Sequence, residues 1–192
     1  MDIMKLIAGQ LNNPDTLSRL GQPAGVETSQ VQQLVHLGLP TLLQALGQNA
    51  ATAEGAEALT GALTQHQDDN VEDIEGFLNN VNTEDGAKML GHIFAGRQQS
   101  VNSNLAQQTG LESSQVSGVM AQLAPLVLGA LGQQKKEQDL DSTGVAGLLS
   151  GLLAQGGGGG GLADIAMSLL DADKDGDVMD DVGDMLSSFL KK

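Results

Sequence analysis

The feature that most constrains this chain is an internal repeat. The segment "LGQPAGVETSQVQQLVHLGLPTLLQALGQ", residues 20–48, aligns without gaps with "LAQQTGLESSQVSGVMAQLAPLVLGALGQ", residues 105–133. Residues of special backbone behaviour match in one register: Gly25 with Gly110, Glu27 with Glu112, Pro40 with Pro125, and Gly47 with Gly132. Chance similarity between amphipathic helices does not produce such a register, so we expect two similar halves.

Each copy of the repeat predicts the same local structure. The first matched glycine ends a short helix, because glycine is common just past a helix C-terminus. The matched glutamate begins the next helix, and a glutamine three residues later completes a weak capping box. Apolar residues then recur at helical spacing. Pro40 and Pro125 fall inside this apolar pattern, so each is expected to kink its helix or split it in two.

The rest of the repeat-bearing region also has helical patterns, and no segment alternates as a β-strand would. Asn13, Pro14 and Asp15 form a helix start, with an N-cap, a first-turn proline and an acid. Apolar periodicity predicts further helices over 54–64, 71–78, 83–94 and 143–154, with Asn79 and Asn80 as a break. Aromatic residues make up only 2% of the chain, so the core must be aliphatic. We expect an all-α body of roughly seven to ten short helices, arranged as two similar multi-helix halves.

Charge and composition exclude several classes of protein. The formal net charge is −15, which repels nucleic-acid phosphates and anionic lipid. There are no cysteines, which rules out disulfides and thiolate metal sites. The N-terminus lacks the pattern of a cleaved signal peptide, and no uninterrupted apolar run reaches the ~18 residues of a membrane span. We therefore expect no membrane insertion and a cytoplasmic location by default, with export by a signal-independent route still open.

Six consecutive glycines, residues 156–161, divide the chain. Such a run does not favour a helix and is typical of a flexible tether. It predicts a duplicated helical body over 1–155 and a separate C-terminal unit over 162–192. The glycines lack the Gly-Lys-Ser/Thr ending of a phosphate-binding loop and follow no strand.

The C-terminal unit contains the strongest chemical motif of the sequence, "DADKDGDVMDD" at 171–181. Asp171, Asp173 and Asp175 occupy alternate positions and are followed by Gly176. This is the D-x-D-x-D-G start of a calcium loop of the EF-hand or dockerin type. Apolar residues at helical spacing precede and follow the loop, so we expect a helix-loop-helix.

The second half of the loop departs from this pattern. In an EF-hand, the twelfth loop position supplies a bidentate acid, but here that position is Val182. A shortened loop could complete the coordination shell of the metal with Asp180 or Asp181 instead. All-oxygen ligands favour Ca²⁺, with Mg²⁺ and Mn²⁺ less favoured. The alternative is a solvated turn whose later acids lie at a helix N-terminus. The predicted metal ligands are Asp171, Asp173, Asp175, Asp177, Asp180 and Asp181.

No catalytic constellation is readable from the sequence. The three histidines, His36, His66 and His92, lack a partner at a convincing catalytic or metal-binding spacing. His92 lies in an apolar helical pattern and is expected to be a packed, hydrogen-bonded side chain. Serines of the repeat fall at helix starts, where capping explains them. We therefore predict that the protein is not an enzyme.

Two segments carry a resemblance to a known family. "DGAKMLGHIFAG" (85–96) and "TGLESSQVSGVMAQLAPLVLGALG" (109–132) resemble the bacterial YidB-like family, the domain of unknown function numbered 937. The resemblance implies a helical fold with a homeodomain-like arrangement. It implies no catalytic residue, because the family has no established activity.

These observations lead to one main hypothesis and one alternative. The main hypothesis is a non-enzymatic, calcium-binding helical scaffold or interaction protein that binds a protein partner or a second copy of itself. The alternative is a nucleic-acid-binding or regulatory protein, on the strength of the homeodomain-like arrangement alone. The chain has only nine Lys and Arg residues, and this low count disfavours the nucleic-acid alternative.

Overall fold

The computed structural model describes residues 9–156, and within them the chain is helical and forms no strand. An all-α architecture is thus confirmed for this part of the chain. The helices are α1 (Pro14–Gly21), a 3₁₀ turn (Gln22–Ala24), α2 (Thr28–Asn49), α3 (Ala53–His66), α4 (Ile74–Asn80), α5 (Thr83–Ile93), α6 (Gln98–Thr109), α7 (Ser113–Glu137) and α8 (Ser142–Gly156).

Most helix starts use a short polar side chain as an N-cap. Asn13 Oδ1 accepts the Asp15 N–H at 3.0 Å, as the sequence predicted. Thr52 Oγ1 caps α3 through the Gly55 N–H at 3.1 Å. Each cap satisfies a backbone donor that has no partner within its helix, which is worth about 1 kcal/mol.

One helix differs from its prediction. The helix expected over 71–78 begins at Ile74, where Asp73 Oδ1 accepts the Gly76 N–H at 3.0 Å. Asn79 and Asn80 were predicted to lie between two helices, but both lie in the last turn of α4. Asn80 Nδ2 donates to the Gly76 carbonyl at 2.8 Å, so its side chain folds back onto the helix.

Helix α7 is the centre of the body. It packs against α3, α5 and α6, and every residue from Val119 to Gly132 is buried. A helix that is apolar all round is typical of a buried core element. By length and composition α7 could also cross a bilayer, but 83% of its apolar window is buried inside the body. The core of the described chain is therefore built around this one helix.

The contact between α5 and α7 is the most extensive in the body, and a glycine makes it possible. Gly86 lies directly against the backbone of Ala121, and a Cβ on Gly86 would overlap the Ala121 carbonyl. Small residues on both helices thus allow their backbones to approach closely. Because the two backbones lie close together, the C-terminal half of α5 and Leu128 of α7 line the same cavity.

The two long helices, α2 and α7, begin in the same way. Gly25 and Gly110 adopt left-handed backbone angles, with φ of 64° and 70°. Both helices start directly after the matched glutamate, whose backbone is extended in each copy. Each helix is continuous through its proline, so of the two predicted outcomes at Pro40 and Pro125, a kink or a split, the split is wrong. A long helix held by packing on both sides of the proline tolerates the lost hydrogen bond.

Each long helix also contacts the turn that precedes the other. Gln115, in the first turn of α7, donates from Nε2 to the Gly25 carbonyl at 3.3 Å. Gln33, in α2, donates from Nε2 to the Gln108 carbonyl at 3.2 Å. The starts of the two helices are therefore held together by reciprocal side-chain bonds to backbone.

The last described helix returns the chain to α2. Helix α8 packs against α2 and α3, with Val145 and Leu149 buried. Leu153 lies over Gly47, so that a Cβ on Gly47 would be 2.8 Å from the Leu153 Cδ1. Helix α8 continues to Gly156, the first glycine of the predicted linker. The chain thus leaves the described body close to the C-terminal end of α2.

Candidate functional site

The predicted metal ligands, Asp171, Asp173, Asp175, Asp177, Asp180 and Asp181, lie outside the described residues 9–156. So does the predicted C-terminal helix-loop-helix. Within residues 9–156, no group of three or more His, Asp or Glu side chains is placed to hold a metal ion. The candidate site that the structure itself supplies is a groove on the body.

We name this site the α3–α5 groove. It is a half-open cavity of about 660 Å³ whose floor is formed by Leu46, Leu59, Ile93 and Leu128. Helices α3 and α5 form its two walls, and the C-terminal end of α2 closes one end. Its volume lies in the range of about 300–1,000 Å³ that is common for ligand-binding clefts.

The groove exists because α3 and α5 both pack on α7 but do not pack extensively against each other. Their buried faces point to α7, and Leu128 remains between them as the floor. On the walls, Ala62 and Met89 are half-buried, so apolar surface reaches up toward solvent. Methionine adapts to irregular partners and is common in surfaces that bind apolar helices. The groove runs along α3 from Thr52 to His66, about 20 Å at the helical rise per residue.

The electrostatics of the groove differ from those of the chain as a whole. The full chain carries 24 Asp and Glu residues, yet none of those within residues 9–156 lines this groove. Its polar lining consists of neutral amides, a threonine and two histidines, His66 and His92. An acidic segment therefore meets less repulsion here than a uniformly acidic surface would impose.

The two groove histidines add to and correct the sequence analysis. The prediction that His92 is a packed side chain is wrong, because His92 is exposed at the groove edge. His66 Nδ1 and Asp69 Oδ2 lie 2.8 Å apart, a pair that the sequence analysis did not single out. His66 is the last residue of α3 and Asp69 follows three residues later, so the turn after the helix brings the two side chains together.

The His66–Asp69 pair does not form a catalytic set with the groove. A histidine oriented by a carboxylate activates a nucleophile only when a hydroxyl or thiol lies within hydrogen-bond reach. The only hydroxyl among the groove-lining residues is Thr52, at the opposite end of α3, where it caps the helix. Among the described lining residues, the His66–Asp69 pair therefore has no hydroxyl beside it.

Two smaller cavities lie elsewhere on the described body. One, of about 420 Å³, lies on the exposed face of α2 and includes His36, Leu39 and Pro40. The other, of about 410 Å³, lies beside α4 and includes Asp69 and Asp73. The cavity on α2 also lacks a carboxylate among its described lining residues, but it is smaller than the α3–α5 groove, and the cavity beside α4 contains two carboxylates.

Two buried polar atoms have no hydrogen-bond partner among the described residues. They are Asn102 Oδ1 and Gln134 Oε1. An unsatisfied buried oxygen costs free energy, and a ligand sometimes supplies its partner. Neither residue lines any of the three cavities, so these atoms do not mark a ligand site.

Comparison with known proteins gives a family but no activity. No curated protein and no solved structure matches the chain. One family model, described as bacterial protein of unknown function (DUF937), matches residues 5–134. That match spans both copies of the repeat and the helices that form the α3–α5 groove. The chain therefore belongs to the DUF937 family of bacterial proteins, as its two signature segments indicated.

Proposed function

We propose that the protein is a non-enzymatic helical scaffold that binds a partner segment in the α3–α5 groove and binds Ca²⁺ through its C-terminal acidic loop. The groove carries the scaffold role, because it is a long apolar cleft whose lining has no carboxylate. A cleft of this shape accepts the apolar face of an amphipathic helix. The body that presents it is, on this proposal, a duplicated pair of helical halves.

The calcium role rests on the sequence of the loop. Residues 171–184 contain seven Asp and one Lys, so much of the negative charge of the chain is concentrated there. Self-repulsion of this cluster is relieved by a divalent cation. The first six loop positions follow D-x-D-x-D-G, and Asp180 or Asp181 supplies the closing carboxylate.

The charge pattern of the body does not favour the nucleic-acid alternative. The only adjacent basic pair of the described body is Lys135 and Lys136 at the end of α7. Lys136 forms an ion pair with Asp68, which reduces the positive potential available to a phosphate. We therefore carry forward only the scaffold proposal, with a location in the cytoplasm as its default.

Isothermal titration calorimetry on the full chain tests the calcium role. Chelator-treated protein is expected to bind about one Ca²⁺ per chain. The double variant Asp173→Asn/Asp175→Asn removes two ligands and is expected to abolish the binding heat. The control Asp139→Asn removes one exposed carboxylate outside the loop sequence, at a left-handed position that Asn tolerates. Absence of binding heat at millimolar Ca²⁺ would refute the calcium role.

A further inference from the structure

The α3–α5 groove lies within reach of the chain that leaves α8. Leu153 packs over Gly47, and the next residue of α2, Gln48, lines the groove. From Leu153 to Gly156 the helix adds about 4.5 Å. The glycines that follow give an extended reach of roughly 20 Å to residue 162.

The first segment beyond the glycines has the pattern that the groove requires. Its sequence is "LADIAMSLL", residues 162–170. Apolar residues recur at the i, i+3, i+4 and i+7 positions of one helical face: Leu162, Ile165, Ala166 and Leu169. Nine helical residues span about 13 Å, which is shorter than the groove along α3.

Charge disfavours the cavity beside α4, and size favours the α3–α5 groove, at about 660 Å³, over the carboxylate-free cavity on α2, at about 420 Å³. Residues 171–181 follow the segment directly and are strongly acidic, so a docked segment holds a cluster of carboxylates against the body. The cavity beside α4 already contains Asp69 and Asp73, which would repel that cluster. Among the described residues the α3–α5 groove has no carboxylate in its lining, and the carboxylate of Asp69 is paired with His66 at the groove edge.

From these observations we propose that the α3–α5 groove is an intramolecular docking site for residues 162–170 of the same chain. This inference rests on the proposed function, because it names the occupant of the groove that makes the protein a scaffold. Docking covers the apolar floor and holds the acidic loop beside the body. Any external partner helix must then compete with a segment tethered at high effective concentration.

Cross-linking tests the docking directly, because the chain has no native cysteine. The probe pair is Gln65→Cys, which lines the groove, with Met167→Cys in the segment. The control pair is Thr64→Cys with Met167→Cys, since Thr64 is exposed, adjacent in sequence and outside the groove lining. A short bis-maleimide is expected to join the probe pair about ten-fold faster than the control pair.

A charge in the groove provides the second arm of the experiment. Ala62→Asp places a carboxylate on the half-buried groove wall, while Thr64→Asp places the same charge on the exposed surface of α3. In the probe-pair background, Ala62→Asp is expected to reduce the cross-linking rate to that of the control pair, and Thr64→Asp to leave it unchanged. Circular dichroism of both variants checks that the body remains helical.

Each outcome decides the inference. Equal rates for the two cysteine pairs, or an unchanged rate in Ala62→Asp, would overturn it. Mixing unlabelled with ¹⁵N-labelled chains identifies cross-links between chains, and a purely interchain product would assign the groove to a second copy instead. Calorimetric Ca²⁺ binding that survives in Ala62→Asp would show that docking and calcium binding are separable. Failure of docking would then leave the calcium role standing.

Discussion

Helices α2 and α7 share a sequence pattern but occupy different environments. Both follow a left-handed glycine and an extended glutamate, and both continue through a proline. Helix α7 is buried on all sides through its centre, while α2 leaves one face open to a cavity. Ala121, which is 3% exposed, corresponds in the repeat to His36, which is exposed. Neighbouring helices, not the shared pattern, therefore decide which copy becomes the core.

The largest expected effect comes from exchanging residues between the two copies. Ala121→His places an imidazole where α5 lies against α7, so it combines overpacking with a buried polar group and should cost about 3–5 kcal/mol. The reciprocal His36→Ala changes an exposed helical position and should alter the unfolding free energy by no more than about 0.5 kcal/mol. Urea denaturation monitored by circular dichroism measures both. Similar losses in the two variants would contradict the assignment of α7 as the core helix.

The next effect tests the close approach that buries α7. Gly86→Ala adds a methyl group against the Ala121 carbonyl and should cost about 2–3 kcal/mol, because two backbones must separate. Gly91→Ala lies on the same helix, with its nearest atom, Gln98 Oε1, at 3.7 Å. This control should stabilise α5 by up to about 1 kcal/mol through helix propensity. Thermal unfolding of the pair separates packing from propensity, and a stabilising Gly86→Ala would rule out the close contact.

A smaller effect comes from a polar group that only the second copy has. Gln122 is 2% exposed, and its Nε2 donates to the Leu20 carbonyl at 3.0 Å, whereas the matching residue in α2 is Leu37. Gln122→Leu should cost about 1–3 kcal/mol, because the Leu20 carbonyl loses its donor in a buried site. Gln107→Leu, on the exposed face of α6, is the matched control. An unchanged midpoint of urea unfolding in Gln122→Leu would mean that this bond contributes no stability.

The smallest effect compares the two helix starts. Gln115 accepts the Glu112 N–H at 3.0 Å and also donates to the Gly25 carbonyl. Gln115→Ala should therefore cost about 1 kcal/mol. The matching Gln30→Ala should cost at most a few tenths of a kcal/mol, since no comparable side-chain cap holds the start of α2. Equal losses, measured by thermal unfolding, would mean that both copies use the same cap.

The sequence predicted local structure more reliably than it predicted environment. Helices, caps and the left-handed glycines follow from short-range spacing, and the structure confirms them at Asn13, Gly25 and Gly110. The boundary at Asn79 was missed because its side chain is compatible with either a helix end or a turn. Continuity through Pro40 and Pro125 depends on packing along the whole helix, which short-range spacing does not contain.

The candidate groove was beyond sequence reasoning for a similar reason. Its floor combines residues from α2, α3, α5 and α7, and the packing of α3 and α5 on a common helix is a property of the tertiary structure. His66 and Asp69 are three residues apart, a spacing that could have suggested their pairing. The acidic loop differs from the groove, because its predicted ligands fall within one short segment and the motif is readable without knowledge of the fold. Its six predicted ligands remain a prediction, since they lie outside residues 9–156.

The buried helix α7 and the acidic loop have different roles on this account. Helix α7 and its neighbours form a static frame, while Ca²⁺ acts at the acidic loop beyond the glycines. Amide hydrogen exchange of the full chain, followed by mass spectrometry with and without millimolar Ca²⁺, reads both regions at once. We predict that Ca²⁺ slows exchange by about ten-fold or more over 171–181 and leaves the slow amides of α7 unchanged. Identical exchange over 171–181 in the two conditions would contradict the account.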